Sequence, residues 1–545
     1  MTKFYNPYNF VPLKRDLDGA RLTKNKDILF SQPRKEVTEN DSQAPDSLPF
    51  AKACEQNNDI AKGNTHIRHD AWLNCLPGSN EPLFSGKIIA QLVTKSPTIV
   101  GNKHDKNKQI TNNNKQGQGR RGTKENTATT VNAYKYKEET TLPGSALRGM
   151  ISTITEILSQ SNMRVLTNQP YSARAARQPP EPIGSSHQYF GGFLPFGAAP
   201  NASTLSVAEQ MFGVVEQTQT ILASQDVEPR KTGDTQKRCL ASRIKVSDAV
   251  SLGAVKMYNE SDSAKLLLNI LSGPKAPSPA MYFKGAARQK YLSKGEMSNR
   301  HKQGEHLECV PNGWKRYLPR GDIKEPDWVE QQANSERQDL RMQANPMAAG
   351  NTFYFPIEFD NLTKPELTLL LYAISPQPHF KHRLGLGKPL GLGMVELAVE
   401  RLMIIDRSSR YSVSALCEEQ GTPTPRYSEV YSGSSANPSS ELEAQFPLEY
   451  NTRAPEKPLS DWYNEEQLGS EHSLIDKSSL SILRKLGDEK MLNPNFGVHY
   501  PRSTNEPGEQ KSFKWFVDNQ NPAKQQFLPA VSANENDELP PLSFT

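Results

Sequence analysis

The stretch His382-Arg383-Leu384-Gly385-Leu386-Gly387-Lys388-Pro389-Leu390-Gly391-Leu392-Gly393 constrains this chain more than any other, because no other segment sets glycine and cation so close together. Glycine reaches backbone conformations with positive φ and lets a second backbone come near. The cations His382 (if protonated), Arg383 and Lys388 flank Gly385, Gly387, Gly391 and Gly393, so the segment has the chemistry to offer N–H donors and positive charge to phosphates. It is not a Walker loop, since no Ser or Thr follows Lys388, and it lacks the spacing of a dinucleotide fingerprint. The ordinary alternative is a tight turn between a helix and a strand.

Flanking patterns define what that loop joins. Residues 84–93 alternate like a strand with one face on a core, and residues 350–359 and 394–405 read the same way. In 239–250 the alternation of Leu240, Ile244 and Val246 with Ser242 and Asp248 also predicts a strand. Leu147, Met150, Ile151, Ile154, Ile157 and Leu158 follow helical spacing, so a helix is predicted to start near Ser145 with that hydroxyl as its cap. Its N-terminal amides, with Ser145 and with Arg148 one turn in, form a second candidate anion site. Leu367, Leu370 and Leu371 mark another helix over 364–374. Strand, helix, strand, strand, helix, strand is the order of an α+β, ferredoxin-like βαββαβ core interrupted by insertions.

Composition limits how much else can be packed. Only 35% of the 545 residues are hydrophobic and 41 are proline, with a mean hydropathy of −0.68, so one decorated core is expected rather than several domains. The expected division is an extended or linker-like N-terminal extension over 1–82, a core over 83–405, and a largely irregular C-terminal extension with short helices over 406–545. The core carries a basic loop over 101–124 and a cation-rich insertion over 274–345. The net charge of +5 is small, but within 101–124 Lys103, Lys106, Lys108, Lys115, Arg120, Arg121 and Lys124 face only Asp105. That run reads either as a solvated loop or as an arm along a nucleic-acid backbone.

The five cysteines form no CxxC pair, and no signal peptide or apolar span of ~20 residues is present, which points to a reducing cytoplasm and no membrane. His301, His306 and Cys309 fall close together, but no further ligand stands at a finger-like spacing, so no metal site is assigned.

Taken in order, several motifs resemble the RAMP superfamily of CRISPR-associated proteins, in particular the backbone-type subunits of type III effector complexes. They are the strand and turn over 84–101, Leu142-Pro143-Gly144-Ser145-Ala146-Leu147-Arg148-Gly149, Met211-Phe212-Gly213 with Ser242-Arg243-Ile244-Lys245-Val246-Ser247-Asp248-Ala249, and the loop ending Gly391-Leu392-Gly393. The opening Asn6-Pro7-Tyr8-Asn9-Phe10-Val11-Pro12 is similar to the start of one RAMP subgroup. The resemblance implies a subunit that grips guide RNA beside sister subunits of an antiviral ribonucleoprotein complex, with base pairing to target RNA supplying specificity. No cofactor is then needed for RNA binding.

Some members of the family also cut target RNA, using an aspartate in the loop before the Pro-Gly-Ser helix and a divalent ion, Mg or Mn. Here residues 127–141 hold Glu138 and Glu139 but no aspartate, and Asp105 beside His104 lies earlier in the same loop. Asp105 and His104 are therefore the catalytic candidates if cleavage is retained. Two other functions stay open. One is a metal-independent CRISPR RNA processing endoribonuclease with His382 or His104 as acid or base, and the other is a non-catalytic interaction scaffold.

Overall fold

The computed structural model describes residues 3–14, 83–105, 128–173, 181–198, 204–215, 239–261, 341–405, 427–432, 473–503 and 509–543. Shorter pieces are described at 28–29, 264–269, 279–285, 294–304, 309–320 and 445–446, with the single positions 292, 329, 463 and 468. The fold is α+β.

Its main sheet is built from β1 (Leu83–Thr94), β2 (Ile244–Val246), β3 (Thr352–Thr363), β4 (Lys381–Arg383), β5 (Met394–Ile405) and β6 (Tyr427–Ser432). The strands run β2-β3-β1-β5-β4, with β6 on β5, and every pairing is antiparallel. Helix α1 (Gly144–Leu158) lies between β1 and β2 in the chain, and α2 (Lys364–Ile374) between β3 and β4.

Alternation along β3 explains why the helices cover one face. Phe353, Phe355, Ile357 and Phe359 are buried while Tyr354, Pro356 and Glu358 are not, and register sets Phe353 beside Leu92 and Ile357 beside Ile88. Leu147, Ile151 and Ile154 of α1 and Leu367, Leu370 and Leu371 of α2 close the same core. At the start of α2, Thr363 and Glu366 form a capping box. Glu366 also meets Arg243 in a bidentate pair of 2.5 and 3.1 Å, with both side chains almost fully buried.

The end of α1 departs from the expected cap. Pro143 is its N-cap and offers no side-chain hydrogen bond. Instead Asp248 accepts from the Gly144 amide at 2.7 Å, so a carboxylate already occupies the positive end. Gly144 is required there, because a Cβ would stand 2.3 Å from the Val246 carbonyl oxygen.

The chain's two ends build outward from this core. Lys3–Tyr5 pairs in parallel with Gly497–Val498 and antiparallel with Leu542–Ser543. Tyr8–Val11 pairs with Trp314–Tyr317 from the 274–345 insertion. Helix α3 (Lys477–Leu486) sends Leu480, Ile482, Leu483 and Leu486 into the main core. A second sheet joins Leu266–Leu267, Met342–Ala344, Thr129–Ala133 and, at its edge, Gly101–Asp105. Among the described residues no helix is long and apolar enough to cross a membrane.

A candidate nucleic-acid interface

The glycine segment is first of all a packed turn. Gly385, Gly387, Gly391 and Gly393 all have positive φ, and a Cβ would lie 2.1 Å from the Ile99 carbonyl oxygen at Gly385 and 1.9 Å from that of Leu384 at Gly393. The loop's amides serve the same purpose. Leu386 donates to Ile99 at 2.9 Å, Gly393 to Pro97 at 2.9 Å and Leu384 to Gly393 at 2.8 Å. The amides of Gly385, Gly387 and Lys388 have no acceptor among the described residues. The glycines thus fix the loop's path, and its side chains supply most of the chemistry.

His382 turns inward. It is fully buried, its Nε2 lies 2.7 Å from the Ile374 carbonyl oxygen, and burial, with Arg316 nearby, pushes its pKa down to about 3. A neutral imidazole in the core presents no charge to a phosphate and has no solvent path for proton transfer, so His382 anchors the end of α2.

Arg383 and Lys388 instead face a cavity of about 340 Å³, within the usual size range of ligand sites. Ala146, Gly149, Met150 and Thr153 of α1 form one wall, Lys315, Arg316 and Tyr317 another, and Arg383, Leu384, Gly385 and Lys388 the third. Arg383 Nη2 is held by the carbonyls of Leu318 at 2.9 Å and Lys388 at 3.1 Å. Its buried Nε and Nη1 have no hydrogen-bond partner among the described residues.

Lys315, Arg316, Arg383 and Lys388 line this cleft, and among the described residues no carboxylate does. Burial lowers all of them: Lys315 and Lys388 to about 8, Arg383 to about 9 and Arg316 to about 10. Mutual repulsion adds to the effect, since Arg316 acts on both Arg383 and Lys388. Lys315 Nζ sits 3.8 Å from the ring centre of Tyr8 and 5.0 Å from that of Tyr317, which holds the ammonium without neutralising it. Glu489 is near enough to act on Arg383 but does not line the cleft, and four partly desolvated cations against that single charge attract an anion more strongly than solvated ones.

Gly149 is the other notable wall residue. It lies in the interior of α1, is exposed, and a Cβ there would touch nothing within 4 Å. The chain's own packing therefore gives no reason for a glycine that weakens a helix.

The remaining candidates are dispersed. Ser145 is exposed at the start of α1, and Arg148 points to a different cavity, donating to the Phe212 carbonyl. Lys103, His104 and Asp105 belong to the edge strand of the second sheet, where His104 pairs with Val131 and Asp105 with Thr130. Their side chains, and Lys106, Arg120 and Arg121 altogether, lie outside the described residues. Among the described residues no three His, Cys, Asp or Glu side chains converge as ligands for a metal ion. Lys315 and Arg316 escaped sequence reasoning, although Trp314-Lys315-Arg316-Tyr317 carries a usable signal, cations interleaved with aromatics.

The class these observations define is an α+β protein with a cationic cleft that no carboxylate lines among the described residues. No protein-family model matches the sequence, and no curated protein does. Among solved structures a chain of a "Type IV-B CRISPR Complex" is similar at 12% identity and a TM-score of 0.23, over 62% of this chain and 95% of that one. Overlap at that level leaves function to be argued from the residues.

Proposed function

We propose that this chain is an RNA-binding subunit of a CRISPR-associated ribonucleoprotein complex, of the backbone type found in type III effectors, and that its core is ferredoxin-like. In this reading the cleft grips the sugar-phosphate backbone of the guide RNA, other subunits flank it, and target RNA is selected by base pairing in the cytoplasm. The observation that carries the reading is the convergence of Lys315, Arg316, Arg383 and Lys388 on one cleft that no carboxylate lines among the described residues. The two motifs that most resemble the family, the glycine loop and the Pro143-Gly144-Ser145 helix, supply facing walls of that cleft. RNA that co-purifies with the chain at low salt as a species of uniform length supports it. Absence of RNA after gentle purification, together with no binding of a single-stranded RNA of guide length, would exclude it.

Gly149 provides a test in which two effects have opposite signs. Gly149→Ala is expected to stabilise the protein by ~0.5–1 kcal/mol, as Ala does over Gly in a helix interior. The same methyl group intrudes on the wall against which the strand lies, so RNA affinity falls. Thermal melting and filter binding read the two separately, and unchanged affinity would move the strand off α1.

A further inference from the structure

The second cavity, about 310 Å³, lies on another side of α1 and is not explained by the cleft. Arg148 and Arg164 line it together with Pro195, Phe196, Val215 and Leu240. At ~100° per residue, Arg148 points well away from Gly149, Met150 and Thr153, which face the cleft. A helix width of about 10 Å therefore separates the two cavities.

Both guanidiniums are tethered through neutral carbonyl groups. Arg148 and Arg164 each use Nη2 to hold the Phe212 carbonyl, and Arg164 also reaches that of Gly213 at 3.1 Å. They stand over the Phe212 ring at 5.8 and 5.4 Å. No carboxylate pairs with them among the described residues, and the buried Nε of Arg164 has no acceptor. Behind Arg164 lie the buried Glu156 and Glu209, which balance part of its charge from the side away from the cavity; Glu209 is held by Phe196, Ser206 and Asn162, and burial pushes the Glu156 carboxyl up to about 8. Two cations at an apolar hollow call for a ligand that combines an anionic group with a flat, weakly polar body. Apolar walls and Val215, 67% exposed at the mouth, suit that body.

We propose that this cavity receives one nucleotide unit, its phosphate between Arg148 and Arg164 and its base against Pro195, Val215 and Leu240. The inference rests on the reading that RNA lies in the cleft, because the exposed ridge between the two cavities is small, Ser145 and Gly149, and a strand crossing it reaches the second cavity within a few nucleotides. A free nucleotide has the same chemistry and is the other source.

The test uses the full chain with a single-stranded RNA carrying 4-thiouridine, and with adenosine monophosphate. Arg164→Gln removes one cation. Val215→Trp fills the mouth without touching either arginine, and keeps the test valid if the first variant folds poorly. Each variant should weaken RNA binding about tenfold, the scale of one charge-assisted contact. Arg164→Gln should also reduce the slope of log affinity against log salt by roughly 0.7. Crosslinks should map to 212–215 or 240–242. Adenosine monophosphate binding that Val215→Trp abolishes, with RNA affinity unchanged, would support the site with a free nucleotide as its source. If Lys388→Ala weakens RNA binding but neither cavity variant changes RNA or mononucleotide binding, the inference fails while the cleft reading stands. If Lys388→Ala also leaves RNA binding intact, the cleft reading fails on its own evidence.

Discussion

Lys315→Ala combined with Lys388→Ala should lower RNA affinity about a hundredfold at moderate salt, two charge-assisted contacts at about tenfold each. The slope of log affinity against log salt should fall by roughly 1.4, or 0.7 for each phosphate released. The same variant should be more stable than the parent near neutral pH. Burial holds both lysines near 8 in the folded chain against an ordinary 10.5, so the unfolded chain binds more protons between those values and stability must rise with pH there. Below about pH 8 both lysines are charged in either state and the penalty of confining them is fully present. The parent should therefore melt higher as pH climbs from about 8 toward 10, and the variant should lose the part of that rise that the two lysines supply. Above that range the buried Tyr8 and Tyr500, whose pKa values are raised, oppose it, because the unfolded tyrosines ionise first. Melting curves across pH and salt-dependent filter binding check the two halves. Unchanged affinity would leave the cleft without a role in RNA binding.

A second large effect concerns stability alone. Arg243→Ala should cost about 3–5 kcal/mol, because it leaves the Glu366 carboxylate buried without its partner. Arg243 also donates to the carbonyls of Gln210 at 3.2 Å and Asn361 at 2.9 Å, so the link between the segment before β2 and the start of α2 is lost with it. Replacing both partners, Arg243→Met with Glu366→Leu, should recover most of that loss, since a buried pair is often no more stable than an apolar one of similar volume. Urea denaturation separates the cases. A single variant within about 1 kcal/mol of the parent would show that water relieves the exposed carboxylate.

The parts of this fold legible in the sequence are those set by neighbours a few residues apart. Alternation marked 394–405, and helical spacing marked 364–374, where the structure has β5 and α2 over those same residues. Long-range partners were not legible. The α1 cap comes from Asp248, 104 residues from Gly144, so local reading assigned it to Ser145. Trp314–Tyr317 gains its place from pairing with Tyr8–Val11, which is why Lys315 and Arg316 looked like ordinary members of a basic insertion. His382 misled for another reason. Its neighbours in sequence are cations, whereas in space it is fully buried, against Phe380 and the Ile374 carbonyl with Arg316 nearby.

The pairing of residues 3–11 with segments far along the chain bears on how the cleft is assembled. The wall that carries Lys315 and Arg316 hangs on Tyr8–Val11, just after Lys3–Tyr5, which is clasped by Gly497–Val498 and Leu542–Ser543. During synthesis the glycine loop and α1 emerge well before those clasping residues do. A nascent chain therefore has two walls of the cleft long before the third is secured, and the cleft is completed only after residues 497–543 have been made. A bulky group introduced beside Lys3 or Ser543 should be felt at the cleft, far from the residues it touches.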